Sequence, residues 1–327
     1  MLSDRFGRTV RYLRLSITGA CNFSCAYCRT GAAASGEEDS CSSDELVRIV
    51  KAFTGLGVRG VRLTGGEPLL RPDVLEIVEK LRALDGSLDL SLTTNGFGLE
   101  RMAAKLKAAG LDRVNVSMDS LDPSVFKRLA GVEGLARVRE GVFAALSAGL
   151  SPVKVNVVVV RGLNDLEVPK FAELTAEMPL QVRFIELMPI GEAASLWPRG
   201  RVALDEMMQL AGPLEPVAVG EKPHGLGPAV VYRRPGAVGT LGFIAAVSGR
   251  FCETCNRARV TSRGLLLSCL GSEDGVDLLS LLRGRATDAE VATAIRGAIA
   301  AKPSGHDFGG CGQARVGSQQ RMCQIGG

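Results

Sequence analysis

The chain has 327 residues, of which 46% are hydrophobic and only 5% aromatic, with 40 glycines; this suits one large α/β barrel or two domains with tight βα turns. The net charge of +4 is spread along the chain among interleaved acidic residues, which argues against a nucleic-acid tail or a membrane patch. No apolar run approaches the ~20 residues of a membrane span, and the first stretch reads as a strand rather than a leader, so the expected location is cytoplasmic.

The first two-thirds of the chain alternates strand and helix signals. Strands are expected at "YLRLSIT" (12–18), "GVRLT" (60–64), "LDLSLTT" (88–94), "RVNVSM" (113–118), "VKVNVVVV" (153–160) and "QVRFIEL" (181–187). Amphipathic helices lie between them. "SSDELVRIVKAF" opens on Ser42 with Glu45 three residues on, a capping-box pattern, and "LERMAAKLKAAG" ends on Gly110, a natural helix stop. Six βα repeats imply parallel strands with helices outside, two repeats short of a closed barrel. The expected fold is therefore an α/β partial (βα)6 barrel, open on one side, with reactive groups at the C-terminal ends of its strands. Those ends carry "TGACNFSCAYC", "TGGEP", "TTNG", "SMDS" and "ELMP".

After about residue 190 the rhythm breaks. Loop-like sequence leads to short strands ("AVVYRR", "TLGFIAAV", "RARVT", "LLLSCL"), a helix around 287–300 and a Gly-rich tail. We assign 1–220 to the barrel and 221–327 to a C-terminal α+β region. "TGAAASGEEDS" (30–40) reads as a loop.

Nine cysteines in a chain expected to stay reduced point to metal or redox chemistry rather than disulfides. Cys21, Cys25 and Cys28 form one group, and Cys252, Cys255 and Cys269 another. Cys41, Cys311 and Cys323 stand alone, with no essential role expected. Two readings of the groups remain open on spacing. One is a structural zinc site drawing a C-x2-C pair from each. The other is a pair of cubane iron–sulfur clusters, each held by three thiolates, with one iron left open for a small molecule.

In the second group, "SRG" at 262–264 marks a hairpin turn. A turn centred on Arg263 brings residue 269 opposite 257, so Arg257, Arg259 and Cys269 should share a face. Arg14, Arg62 and Lys154 also sit inside otherwise apolar strands, where a buried charge needs a partner. Arginine suits bidentate phosphate contact and lysine a point charge, so five cations facing one cleft suggest a polyphosphate. Gly65 and Gly66 of "TGGEP" permit close backbone approach. Glu67 offers either a ligand carboxylate or a cap for the helix after Pro68.

The spacing C-x3-C-x2-C, with an aromatic before the last cysteine, resembles the radical S-adenosylmethionine superfamily. Together with it, "LTGGEPLLR", "TTNG", "NVSMDSL", "RFIELMPIG", "FCETCNRARVT" and the final "IGG" resemble the GTP 3′,8-cyclase family of molybdenum cofactor biosynthesis, from about residue 5 to 327. The resemblance implies a barrel of the radical S-adenosylmethionine type, with a second cluster in the C-terminal region. Its cofactors would be two [4Fe–4S] clusters and S-adenosylmethionine. Cys21, Cys25 and Cys28 would hold the first cluster, and Cys252, Cys255 and Cys269 the second. Tyr27, Gly66, Glu67, Ser117 and Met188 would contact S-adenosylmethionine. Arg14, Arg62, Thr93, Lys154, Arg257, Ala258 and Arg259 would contact GTP. Arg14, Arg257, Arg259, Gly326 and Gly327 would serve catalysis, with the tail entering the site.

In that family a 5′-deoxyadenosyl radical removes the ribose 3′ hydrogen and the carbon radical attacks C8 of guanine. A low-potential donor of flavodoxin or ferredoxin type, the next pathway enzyme and a second copy of the chain are the partners implied. Gly19 stands where the family pattern has an acidic residue. Residues 29–40 lack its Pro-containing stretch, and Cys323 replaces a small hydroxyl residue. The competing readings are a radical enzyme with an auxiliary cluster acting on a peptide or other small molecule, and a zinc-stabilised binding protein.

Overall fold

The computed structural model describes residues 1–28, 40–197, 199–272, 274–306 and 308. Cys311, Cys323, Gly326, Gly327 and all of the expected 30–40 loop except Ser40 lie outside the described residues.

Six strands form where the apolar runs predict them: β1 (Tyr12–Ser16), β2 (Gly60–Thr64), β3 (Asp89–Thr94), β4 (Arg113–Ser117), β5 (Val153–Val159) and β6 (Leu180–Glu186). Between them run α1 (Ser43–Gly55), α2 (Val74–Leu84), α3 (Leu99–Ala108), α4 (Pro123–Ala130), α5 (Leu135–Ser147) and α6 (Val168–Glu177). The α1 capping box is present: Glu45 N donates to Ser42 Oγ at 3.2 Å, and Ser42 N donates to the Glu45 carboxylate at 2.8 Å. Gly110, at φ +103°, stops the chain just past α3. β1 to β6 lie side by side in chain order and all parallel, in a sheet whose linear order is consistent with a partial barrel.

The later elements are α7 (Ala193–Leu196), α8 (Leu204–Ala211), β7 (Glu215–Pro216), β8 (Val230–Arg233), β9 (Thr240–Ile244), β10 (Arg257–Val260), β11 (Leu265–Leu267), β12 (Val276–Asp277), α9 (Leu278–Arg283) and α10 (Asp288–Ala300). They do more than follow the barrel. β9 pairs parallel with β6, and β10 pairs parallel with β1, so the C-terminal region extends both edges of the sheet. The reason is elementary. A six-stranded open sheet leaves unpaired backbone groups along β1 and β6, and these two strands satisfy them.

Strand alternation then sorts the side chains. Leu13, Leu15, Val61, Leu63, Val155 and Phe184 turn outward into the buried layer beneath the helices. The alternate positions turn inward, and many are polar: Arg14, Arg62, Thr93, Ser117, Asn156 and Arg183 all line one cavity, with Val158 and Ile185 beside them. An apolar core wraps the outside of the sheet while the barrel interior is left for charge. Among the described residues no helix is long and apolar enough to cross a membrane.

Candidate active site

The first cysteine group rides on the loop after β1, and two neighbouring elements hold that loop. Gly66 N donates to Thr18 O at 2.8 Å and Glu67 N to Ala20 O at 2.7 Å, docking the β2 loop against it. The approach is close enough that a Cβ on Gly66 would lie 2.1 Å from Ala20 O, and one on Gly65 2.3 Å from Thr18 O. From the other side, Ser24 N and Ala26 N donate to Ala130 O and Leu129 O at the end of α4. Phe23 anchors the loop edge-on against Phe97 and Phe126. Cys21, Cys25 and Cys28 thereby face the cavity as half-buried cysteines outside any disulfide.

Tyr27 between them donates its hydroxyl to Asp119, whose other oxygen accepts from Val158 N at 2.7 Å. Burial raises the Asp119 carboxyl to about 6 despite those two donors. Burial, and then Asp119, push the Tyr27 phenol well above its ordinary range.

Below the loop, the sheet register stacks guanidiniums across neighbouring strands. Arg259 on β10 is the partner of Arg14 on β1, which is the partner of Arg62 on β2. Burial, and then the charges of Arg259 and Arg62, hold the Arg14 guanidinium well below its ordinary pKa. The Nε atoms of Arg14 and Arg62 are buried with no hydrogen-bond partner among the described residues. Adjacent buried cations with unmet donors are costly in a protein alone, and an anionic ligand removes that cost. Arg183 adds to the wall: its Nε donates to Asn156 Oδ1 at 2.8 Å and its Nη2 to Asn115 Oδ1 at 2.6 Å. Both partners are neutral, so the charge remains for the cavity.

The second cysteine group lies at the opposite end of the strands. Cys255 precedes β10, whereas Cys21 follows β1, and the two strands run parallel, so roughly 17 Å of strand separates the two ends. The β10–β11 register pairs Arg259 with Leu267 about a turn centred on Arg263, and carried on two places it sets Cys269 against Arg257, as expected. Cys252, Cys255 and Cys269 are half-buried free thiols lining the same cavity, of about 300 Å³, as the first group. Burial alone would raise the Cys255 thiol, but Arg257 and Lys302 outweigh it and bring it down to about 7. Two sets of three thiols, each opening on the shared cavity, fit two cubane clusters with one iron open in each. Cys41 is buried elsewhere, its thiol pushed up to about 12 chiefly by burial.

Three expected contacts are not on the cavity wall. Glu67 is fully buried and spends its carboxylate on Leu69 N, Thr94 Oγ1 and Asn95 N, taking the capping alternative. Lys154 has the inward parity of its strand but is drawn off the lining, donating to His224 O at 2.7 Å. Ala258 has the outward parity, so its side chain joins the core beneath the helices. The other expected positions among the described residues, Thr93, Ser117 and Met188 included, line the cavity.

Sequence reasoning passed over Asp119, Arg183 and Lys302, all of which line the cavity. The inward parity of "QVRFIEL" carries the signal for Arg183. Lys302, at the end of a helix, has none.

Comparisons agree with this geometry. The family profile described as "Radical SAM superfamily" matches residues 15–175, and that described as "Molybdenum Cofactor Synthesis C" matches 180–308. The SuiB structure from Streptococcus suis, bound to S-adenosylmethionine, aligns over 90% of this chain and 68% of its own with a TM-score of 0.60 at 14% identity. Fold and site define a radical S-adenosylmethionine protein. Curated proteins carry the assignment further. The chain is 43% identical to the GTP 3′,8-cyclase of Heliobacterium modesticaldum over 99% of both chains. It is 43% identical to that of Geobacter sulfurreducens over 95% of both. The chain belongs to the GTP 3′,8-cyclase family.

Proposed function

We infer that the chain converts GTP to (8S)-3′,8-cyclo-7,8-dihydroguanosine 5′-triphosphate, the first step of molybdenum cofactor biosynthesis. Its cofactors are S-adenosylmethionine and two [4Fe–4S] clusters. The observation that carries the reading is a single cavity with three thiols at each end and a row of arginines between them. A peptide-modifying enzyme has no evident use for that buried cationic row.

The residues divide the work. Cys21, Cys25 and Cys28 would hold one cluster, which with S-adenosylmethionine supplies the radical. Tyr27, Gly66, Ser117 and Met188 would orient that cofactor. Arg14, Arg62, Arg183, Arg257 and Arg259, with Thr93, would bind and align GTP, and alignment with exclusion of water is the protein's main contribution to such chemistry. Cys252, Cys255 and Cys269 would hold the second cluster. Residues 1–220 serve the radical source and 221–327 the second cluster. Gly326 and Gly327 are proposed to complete the substrate site, and their removal should lower cyclisation while sparing S-adenosylmethionine cleavage. A cytoplasmic setting, a flavodoxin- or ferredoxin-like donor, hand-over to the next pathway enzyme and a homodimer complete the proposal.

The test is anaerobic reconstitution followed by incubation with S-adenosylmethionine, GTP and a reductant. About eight irons per chain and the cyclised nucleotide are expected. Cys21→Ala, Cys25→Ala or Cys28→Ala should abolish formation of 5′-deoxyadenosine. Cys252→Ala, Cys255→Ala or Cys269→Ala should leave some of it and stop cyclisation. One zinc and no sulfide would overturn the reading.

A further inference from the structure

One buried cation near the second cysteine group belongs to neither strand row. Lys302 follows α10, and only 2% of its surface is exposed. Its ammonium donates to Arg257 O at 2.9 Å and to Ser268 O. Those carbonyls stand on the two arms of the β10–β11 hairpin, two residues after Cys255 and one before Cys269. A single side chain thus ties together the segments that present two of the three thiols. It also interacts electrostatically with both Cys255 and Cys269.

The comparison with Arg8 is instructive. Arg8 Nη1 donates to Cys252 O at 2.8 Å and Ser304 O at 2.9 Å, and Nη2 donates to Pro303 O at 2.6 Å, so it ties the third cysteine to the segment just after Lys302. Its charge, however, is met by Asp4, 2.5 Å away. The two oxygens that Lys302 holds are neutral carbonyls. A buried ammonium with neutral partners is expensive unless an anion lies beside it. A cubane held by three thiolates is such an anion, and it becomes more negative on reduction. Nearby charge and hydrogen bonding are among the terms that set its potential.

We propose that Lys302 is the positioning residue and counter-charge of the second cluster: it fixes the hairpin arms that carry Cys255 and Cys269 and raises the cluster's reduction potential. The proposal rests on the reading of this triad as a cluster's ligands. Loss of the positive charge disfavours the reduced, more negative state, so the potential falls when the lysine is replaced by a neutral residue.

The test uses full-length, anaerobically reconstituted protein, with iron and sulfide analysis and a redox titration followed by electron paramagnetic resonance. The signal absent from Cys252→Ala protein identifies the second cluster. In Lys302→Met, that signal should move to more negative potential or disappear with about half of the iron, while the first cluster's signal stays. Lys302→Arg should keep the iron and restore a midpoint near that of the unaltered protein. Full iron with an unmoved midpoint in Lys302→Met overturns the proposal. Equal loss of the cluster from both variants also overturns it, because side-chain shape and not charge would then be the determinant. If the unaltered protein lacks the second signal, the cluster reading itself fails.

Discussion

Arg183 has its orientation set by two asparagine side chains while no carboxylate among the described residues pairs with it, which is the arrangement expected of a residue waiting for an anion. Losing one such charge-assisted contact costs about 1.5–3 kcal/mol, roughly 10- to 150-fold in affinity. Arg183→Ala, Arg14→Ala and Arg259→Ala should each weaken GTP binding by that range in calorimetry and leave S-adenosylmethionine binding nearly unchanged. Unaltered GTP affinity in all three would remove the anion site.

Lys154 makes a sharper prediction at the same scale. Burial, and then Arg183 and Arg113, lower its ammonium to about 6, so near pH 8 it is largely neutral in the free protein. The sign for folding follows. An unfolded lysine titrates at the ordinary value of about 10.4, so as pH falls from there towards 6 the fold bears a growing penalty at this residue, complete below 6. A bound triphosphate nearby reverses the preference and raises the lysine's pKa. GTP binding at pH 8 should therefore take up a proton, seen as a dependence of the apparent enthalpy on the buffer's ionisation enthalpy. Lys154→Met should abolish that dependence. A buffer-independent enthalpy in the unaltered protein would mean that Lys154 stays neutral on its His224 carbonyl when GTP is bound.

At the scale of elements, the β2 loop and the cysteine loop act as one unit. The glycines of "TGGEP" serve the backbone of the first cysteine loop before any ligand arrives, since side chains there would strike Thr18 and Ala20. Gly66→Ala has backbone on the opposing side, which cannot give way as a flexible side chain can. It should cost the first cluster's iron and most 5′-deoxyadenosine formation while the protein stays folded by circular dichroism. Gly297 is the control: it lies within α10 with open space where a Cβ would go. Gly297→Ala should stabilise the protein by about 0.5–1 kcal/mol with no change in iron.

These loops also mark how far sequence reading reaches. The six barrel strands, the α1 cap and the β10–β11 register are local matters of alternation, capping and turn chemistry, and each is legible in the residues themselves. Glu67 shows the limit. Its motif allowed a ligand or a cap, and only the tertiary position of Thr94 and Asn95 decides for the cap. Lys154 and Ala258 are off the cavity wall for reasons equally hidden from the sequence. The lysine is intercepted by a loop far along the chain, and the alanine follows the parity opposite to that of its arginine neighbours. Lys302 reaches its carbonyls across 34 and 45 positions of sequence, which no local pattern encodes.

For the whole molecule, the consequence lies in where the C-terminal strands go. A region folded as a separate body would unfold separately. Here β9 completes the edge of β6 and β10 the edge of β1, while Phe243 packs against Phe184 with ring centroids 5.6 Å apart. α10 reaches back to α1, where Asp288 meets Lys51 at 3.2 Å, although that exposed pair adds little. Cutting the chain after residue 220 would expose both edges of β1 to β6, uncover Phe184 and strip Arg14 of its β10 neighbour. Exposed, flat, apolar edges favour association with other chains over independent folding. The fragment 1–220 should therefore be aggregation-prone and lack a cooperative thermal transition. The full chain, studied without clusters so that metal loss does not intervene, should unfold in one calorimetric transition whose van't Hoff and calorimetric enthalpies agree. Two resolved transitions, or a monomeric fragment that melts cooperatively, would show that the barrel is a self-sufficient domain and that the C-terminal strands merely dock on it.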